Sequence, residues 1–133
     1  MNTNLNSKHV FLIVESHELL RTILEQWLGQ IFPGVTIYKA GTAEEGIELT
    51  HAVKPTLILM DIGLPGLNGI EATRQIKQNF HDIHIIVMTI FEEEHNRTDV
   101  MNAGASAFVP KDQLYRRLPP AIESLIKKQN KDE

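Results

Sequence analysis

Short apolar runs, separated by longer amphipathic stretches, recur along the chain. The runs are Val10–Val14, Val35–Ala40, Leu57–Met60, Ile85–Met88 and Ala107–Val109. Three of them are nearly uninterrupted β-branched or aliphatic residues, the pattern of strands covered on both faces by helices. The stretches between them read as helices. Leu19, Leu20, Ile23, Leu24, Trp27, Leu28 and Ile31 repeat with the helical period. Thr42-Ala43-Glu44-Glu45 is a capping box that opens a second helix. Asn68, followed by Glu71, opens a third, with Ile70, Thr73, Ile76 and Phe80 on its inner face. A fourth is expected at about 93 to 103, where only Val100, Met101 and Ala103 are apolar and Gly104 is the stop. Pro119-Pro120 suit a first helical turn, so the fifth is expected to begin there and to carry Ala121, Ile122, Leu125 and Ile126. Five strands alternating with five helices predict an α/β domain with right-handed crossovers.

Composition narrows the function. The 133 residues suit one domain, and 42% hydrophobic against 23% charged residues describes an ordinary globular chain. Thirteen Lys and Arg against seventeen Asp and Glu give a net charge of −4, without the basic surplus that non-specific nucleic-acid binding requires. No direct contact with nucleic acid is therefore expected. The absence of cysteine excludes disulfides, thiolate catalysis and cysteine-based zinc sites. No apolar run is long enough to cross a membrane, and the polar start Met1–Ser7 lacks the core of a signal peptide, so the expected location is the cytoplasm.

In a parallel sheet of this kind, the residues just after each strand share one edge, where ligands bind. Here they are Glu15-Ser16, Asp61, Thr89 and Pro110-Lys111. Taken singly, each reads as a surface or capping residue; together they place two carboxylates, a hydroxyl and an ammonium on one edge. Adjacent carboxylates repel unless a cation joins them, and hard oxygen donors suit Mg²⁺. A lysine opposite balances an anion, and a threonine hydroxyl can bond one of its oxygens. These are the parts of a site that transfers a phosphoryl group onto a carboxylate.

These residues resemble a family. Glu15, the run Leu57–Gly69 containing Asp61-Ile62-Gly63-Leu64-Pro65-Gly66, the pair Met88-Thr89, and Ala103-Gly104-Ala105 followed by Phe108-Val109-Pro110-Lys111 are similar to the receiver domain of bacterial two-component response regulators. The resemblance covers roughly residues 8 to 127, with no output domain within the 133 residues. It implies a doubly wound, flavodoxin-like sheet of five parallel strands in the order 2-1-3-4-5, flanked by five helices. Asp61 would be the phosphoacceptor, taking a phosphoryl group from the phosphohistidine of a sensor histidine kinase. Glu15, Asp61 and the backbone carbonyl of Gly63 would hold Mg²⁺, Lys111 would contact the phosphoryl group, and Thr89 and Phe108 would move together on activation. The face formed by the fourth helix, fifth strand and fifth helix would then meet a downstream protein or a second copy. Such a chain is a switch rather than an enzyme with a separate substrate.

Several residues depart from the family pattern. Ser16 stands where a second metal-binding acid is usual, so Mg²⁺ should be held weakly, with Ser16 contributing little or acting through water. Glu18, one helical turn from Glu15, is a candidate substitute. Ile90 is bulky where a small residue is usual, and proline precedes Lys111 instead of following it. In the family, the positions two after the aspartate and two after the threonine tune the lifetime of the phosphorylated form; here they would be Gly63 and Phe91, neither able to orient water, with Ile90 as an added apolar shield. The Glu-Ser-His-Glu opening and the Lys-Asp ending are most similar to receivers that precede helix-turn-helix output domains.

Other features carry less chemistry. His81 and His84 have metal-like spacing but precede the fourth strand, at the opposite edge from the acids. Gly63, Gly66 and Gly69 do not follow the first strand and so are not a dinucleotide fingerprint. An aspartyl-phosphate hydrolase of the haloacid dehalogenase type needs an acid two residues after its nucleophile, where this chain has Gly63. Ser16 and Ile90 keep one alternative in view, a non-phosphorylated pseudo-receiver that serves as an interaction module.

Overall fold

The computed structural model describes residues 9–90 and 94–131. Its elements run β1 (Val10–Val14), α1 (Glu18–Ile31), β2 (Thr36–Ala40), α2 (Ala43–Val53), β3 (Leu57–Asp61), α3 (Gly69–Asn79), β4 (His84–Thr89), α4 (Glu94–Asn102), β5 (Ala107–Pro110) and α5 (Leu114–Lys131). One turn of 3-10 helix, Lys111–Gln113, joins the last two. The strands form a single parallel sheet in the order β2-β1-β3-β4-β5, the doubly wound flavodoxin-like topology anticipated above. Each strand ends within one residue of the apolar run that foretold it. Among the described residues, no helix is long and apolar enough to cross a membrane.

Alternation along the strands divides the core into two layers. Phe11, Ile13, Leu59 and Ile86 face Leu24 and Leu28 of α1 and Leu118 and Ile122 of α5. Leu12, Val14, Ile58 and Val87 face Ala72 and Ile76 of α3 and Val100 of α4. The central strand β3 is buried at all five positions, which accounts for its unbroken apolar run. On the second layer α2 sits close to the sheet: a side chain at Gly46 would meet Val14 Cγ2 at 2.8 Å.

The caps form largely as the sequence indicates. Thr42 Oγ1 accepts from the Glu45 N–H at 3.1 Å, and Asn68 Oδ1 accepts from the Glu71 N–H at 2.9 Å. The Glu45 carboxylate reaches one residue further back than the usual box, accepting from the Gly41 N–H at 2.7 Å. Gly104, at φ +109°, ends α4. The expected first residue of the fourth helix, 93, lies outside the described residues.

The fifth helix departs from expectation. It begins at Leu114, and Pro119 and Pro120 lie inside it. Leu114, Leu118, Ile122 and Ile126 recur every four residues and are all buried, so one apolar stripe continues past both prolines onto the sheet. That packing outweighs the two lost hydrogen bonds. The carbonyls that an N–H at 119 and 120 would have met belong to Tyr115 and Arg116, both exposed residues whose backbone water can solvate.

Restoring one of those donors should therefore stabilise the domain. Pro120→Ala is expected to raise the urea midpoint by the equivalent of about 1 kcal/mol, part of the helical gain being offset by a more flexible unfolded chain. The denaturant slope should not change. A lower midpoint would show that α5 needs proline at this turn.

Candidate functional site

The order β2-β1-β3-β4-β5 reverses direction between β1 and β3, and the crevice beyond their carboxyl ends is where such sheets collect ligands. Val14 is in register with Met60, so the next residues of the two strands, Glu15 and Asp61, emerge side by side. Both are buried, at 1% and 4% exposure. Thr89 ends β4 beside Pro110 of β5, and Lys111 follows at once in the 3-10 turn. The four residue types that the sequence placed at strand ends thus meet at one edge.

A single ammonium joins the two acids. Lys111 Nζ lies 2.8 Å from Glu15 Oε1 and 3.1 Å from Asp61 Oδ1. Asp61 Oδ1 also accepts from the Gly63 N–H at 3.0 Å, and Glu15 Oε2 from the His17 N–H at 3.0 Å. Two carboxylates facing one ammonium leave an excess of negative charge in a confined space. Burial pushes the Glu15 carboxyl above the usual glutamate range; Lys111 and the His17 N–H pull it back, and the neighbouring Asp61 charge adds to the rise.

The backbone around these acids is braced. Arg21 of α1 donates from Nη1 to the Glu15 carbonyl at 2.7 Å, tying the β1–α1 turn to its own helix. The start of α3 presses against the end of β3 so closely that a side chain at Gly69 would lie 2.0 Å from the Asp61 carbonyl oxygen. The roles of Arg21, His17 and Gly69 were not anticipated. Arg21 and His17 act through one side chain and one backbone N–H that carry no local pattern. Gly69 follows the helix-capping Asn68, a place where closeness to the preceding strand can be suspected.

A cleft of about 510 Å³ opens over the acids, with Ser16, His17, Leu20 and Ile90 among its walls. Ser16 is exposed, and Ile90 is 70% exposed at the rim. Glu18 is exposed in the first turn of α1 and does not line the cleft, so the suggested substitute acid stands apart. Phe91 lies outside the described residues. Phe108 is 6% exposed, with the Arg97 guanidinium 5.4 Å from its ring centroid. His84 pairs with Ser106 at the other edge of the sheet, at 3.3 Å.

The donor set fits a divalent cation. Glu15 and Asp61 supply hard oxygens side by side at neighbouring strand ends. No cluster of three or more acidic, histidine or cysteine side chains occurs among the described residues, in keeping with Ser16 in place of an acid. An ion there would take its remaining ligands from backbone, water or substrate oxygens.

Comparison with known proteins agrees with this geometry. The family model for the response regulator receiver domain matches residues 11–123. Response regulator GacA of Pseudomonas aeruginosa is 32% identical over 115 residues, covering 86% of this chain and 54% of that protein. The chain thus spans about half the length of the curated relatives it matches. A LuxR-family two-component response regulator from Aurantimonas sp. superposes with a TM-score of 0.84 at 29% identity, covering 90% of this chain and 85% of the other. The response regulator TrrA of Thermotoga maritima, solved in complex with Mg²⁺ and BeF, superposes with a TM-score of 0.78 at 26% identity, over 88% and 98% of the two chains. The chain belongs to the response regulator receiver domain family of two-component signal transduction.

The raised carboxyl of Glu15 has a consequence for stability. A carboxyl that ionises less readily in the folded state costs stability once it is ionised, so this penalty is absent below the ordinary value of 4.5 and grows as pH rises above it. Glu15→Gln should therefore unfold at a higher urea concentration than the native chain at pH 7, by the equivalent of about 1 kcal/mol. The gap should close as pH falls to 4. A gap of the opposite sign at pH 7 would mean that the ion pair with Lys111 outweighs the burial.

Proposed function

We propose that this receiver domain is a phosphoacceptor switch, taking a phosphoryl group on Asp61 from the phosphohistidine of a sensor histidine kinase. The observation that carries this reading is the meeting of Asp61, Glu15 and Lys111 in one crevice, with Thr89 at the adjoining strand end. The Gly63 N–H and Lys111 both engage Asp61 Oδ1, which leaves the attack on phosphorus to Oδ2. The new O–P bond forms as the P–N bond to the donor imidazole breaks, and the departing nitrogen keeps the electron pair and takes up a proton. Lys111 neutralises charge on the transferred group while Glu15 holds the ammonium in place. Mg²⁺ bound by Glu15, Asp61 and the Gly63 carbonyl would supply further charge neutralisation.

The chain acts as its own substrate and turns over no second one. Once Asp61 carries the group, Thr89 bonds a phosphoryl oxygen and Phe108 moves into the space left behind. That change alters the face of α4, β5 and α5, where a downstream protein or a second copy binds. Gly63 offers no side chain to orient a hydrolytic water, and the exposed Ile90 covers the approach, so the phosphorylated form is long-lived. Ser16 and Ile90 favour the alternative of a non-phosphorylated interaction module; the complete set of Asp61, Thr89 and Lys111 favours transfer.

Incubation with acetyl phosphate and Mg²⁺, read by intact mass, tests the reading. One phosphoryl group should appear on the native chain and none on Asp61→Asn, which keeps the shape and removes the nucleophile. An unmodified native chain would favour the interaction module, and modification of the variant would put the nucleophile elsewhere. The second test addresses Ser16. Ser16→Asp restores a charged oxygen in a partly solvated site, a change of about 1–3 kcal/mol, so Mg²⁺ should bind about tenfold to a hundredfold more tightly by calorimetry. Equal affinities would show that position 16 does not face the metal.

A further inference from the structure

The helix α4 is loosely seated on the sheet. Of its residues with described side chains, 97–102, only Val100 is buried, and Met101 is 45% exposed. A second attachment is cationic. Arg97, one helical turn before Met101, holds its guanidinium 5.4 Å from the centroid of the Phe108 ring on β5. That ring is part of the buried layer that also contains Val87, Val100 and Ala105. Phe108 stands in register with Val87 of β4, two residues before the pairing of Thr89 with Pro110. The ring therefore lies on the face of the sheet that Val87 shares with Thr89, two residues short of the strand ends, with Arg97 of α4 against it.

We propose that Arg97 is a positioning residue that couples the seat of α4 to the placement of the Phe108 ring. The face of an aromatic ring attracts a cation, and phenylalanine has no hydroxyl through which its position could be fixed by a hydrogen bond. The guanidinium supplies the directional contact that the ring cannot make for itself. It reaches across from a helix whose described side chains bury only Val100. When the ring moves, the cation loses its platform; when α4 moves, the ring loses its cover. The trigger, a phosphoryl group on Asp61, rests on the function proposed above, whereas the coupling is present in the domain as it stands.

Two arms of one experiment separate these layers. In the unmodified protein, the Arg97 side-chain protons should show an upfield ring-current shift that Phe108→Leu abolishes. Arg97→Met keeps an apolar stem without charge, and amide exchange over 94–102 should become about two- to fivefold faster, with β4 and β3 unchanged. Arg97→Lys should restore most of the protection, which a purely steric role would not require. In the second arm, beryllofluoride with Mg²⁺ should alter exchange over 94–102 in the native chain and alter it at least several-fold less in Arg97→Met. Fluorine resonance should report the bound group in both proteins. Native-like exchange of Arg97→Met in the unmodified state, or failure of lysine to rescue it, overturns the coupling. Failure of beryllofluoride to bind the native chain counts against Asp61 as the acceptor and leaves the first arm to decide the role of Arg97.

Discussion

The contact of the Lys111 ammonium with both Glu15 and Asp61 makes the crevice tenable, because two neighbouring carboxylates at 1% and 4% exposure would otherwise face each other out of water. Each acid is contributed by a different strand, and the lysine by a third segment beyond the sheet's far edge. The ammonium can span them only if β1, β3, β4 and β5 keep their register and the chain turns tightly after Pro110. The 3-10 turn at Lys111–Gln113 provides that tight turn, and the buried stripe of α5 anchors it on the sheet. A longer connection would carry the ammonium away from the acids. The prolines inside α5 become intelligible in this light, since the helix must start early enough to hold Lys111 where it is.

The two layers of the core differ in firmness. Beneath the sheet on one side, α1 and α5 share Leu24, Leu28, Leu118, Ile122 and Ile126, and Trp27 stacks on Tyr115 with ring centroids 5.9 Å apart. On the other side, α3 is locked to the end of β3 by the absence of a side chain at Gly69, while α4 has one buried residue among those described. The site sits at the boundary between these regimes. Arg21 of α1 braces Glu15 from the firm side, and the path through Thr89 and Phe108 leads to the loose one. On the phosphoacceptor reading, a charge change at Asp61 would therefore move little on the α1 side and act toward α4.

Much of this was legible in the sequence because the physics involved is local or periodic. Unbroken aliphatic runs identify strands covered on both faces, and the end of each run names a residue at the ligand-binding edge; Glu15, Asp61, Thr89 and Lys111 follow from that rule alone. The start of α5 was misread because Pro119-Pro120 carry a strong local preference, and the i, i+4 stripe of Leu114, Leu118 and Ile122 overrode it through tertiary packing. Glu18 was placed near the site by helical spacing from Glu15, yet the backbone at 15–17 is not helical, so the spacing does not apply. The brace from Arg21 and the contact of Arg97 with the Phe108 ring depend on side-chain reach between elements, which no pattern along the chain encodes.

Ser16 has a further effect through the charge of the crevice. Glu15, Asp61 and Lys111 sum to one net negative charge, whereas an acid at position 16 would make it two. The smaller charge weakens the attraction for a divalent cation, and it weakens the repulsion of an incoming phosphoryl group by the same cause. Burial already raises the Glu15 carboxyl, and a third carboxylate beside it would raise it further and add to the cost of keeping the site ionised. The serine thus spares Glu15 that added repulsion. On the phosphoacceptor reading, oxygens carried by the transferred group would supply what the missing acid does not, so metal affinity should rise when Asp61 is modified. The ion is then expected to hold the switched state more firmly than it prepares the resting one.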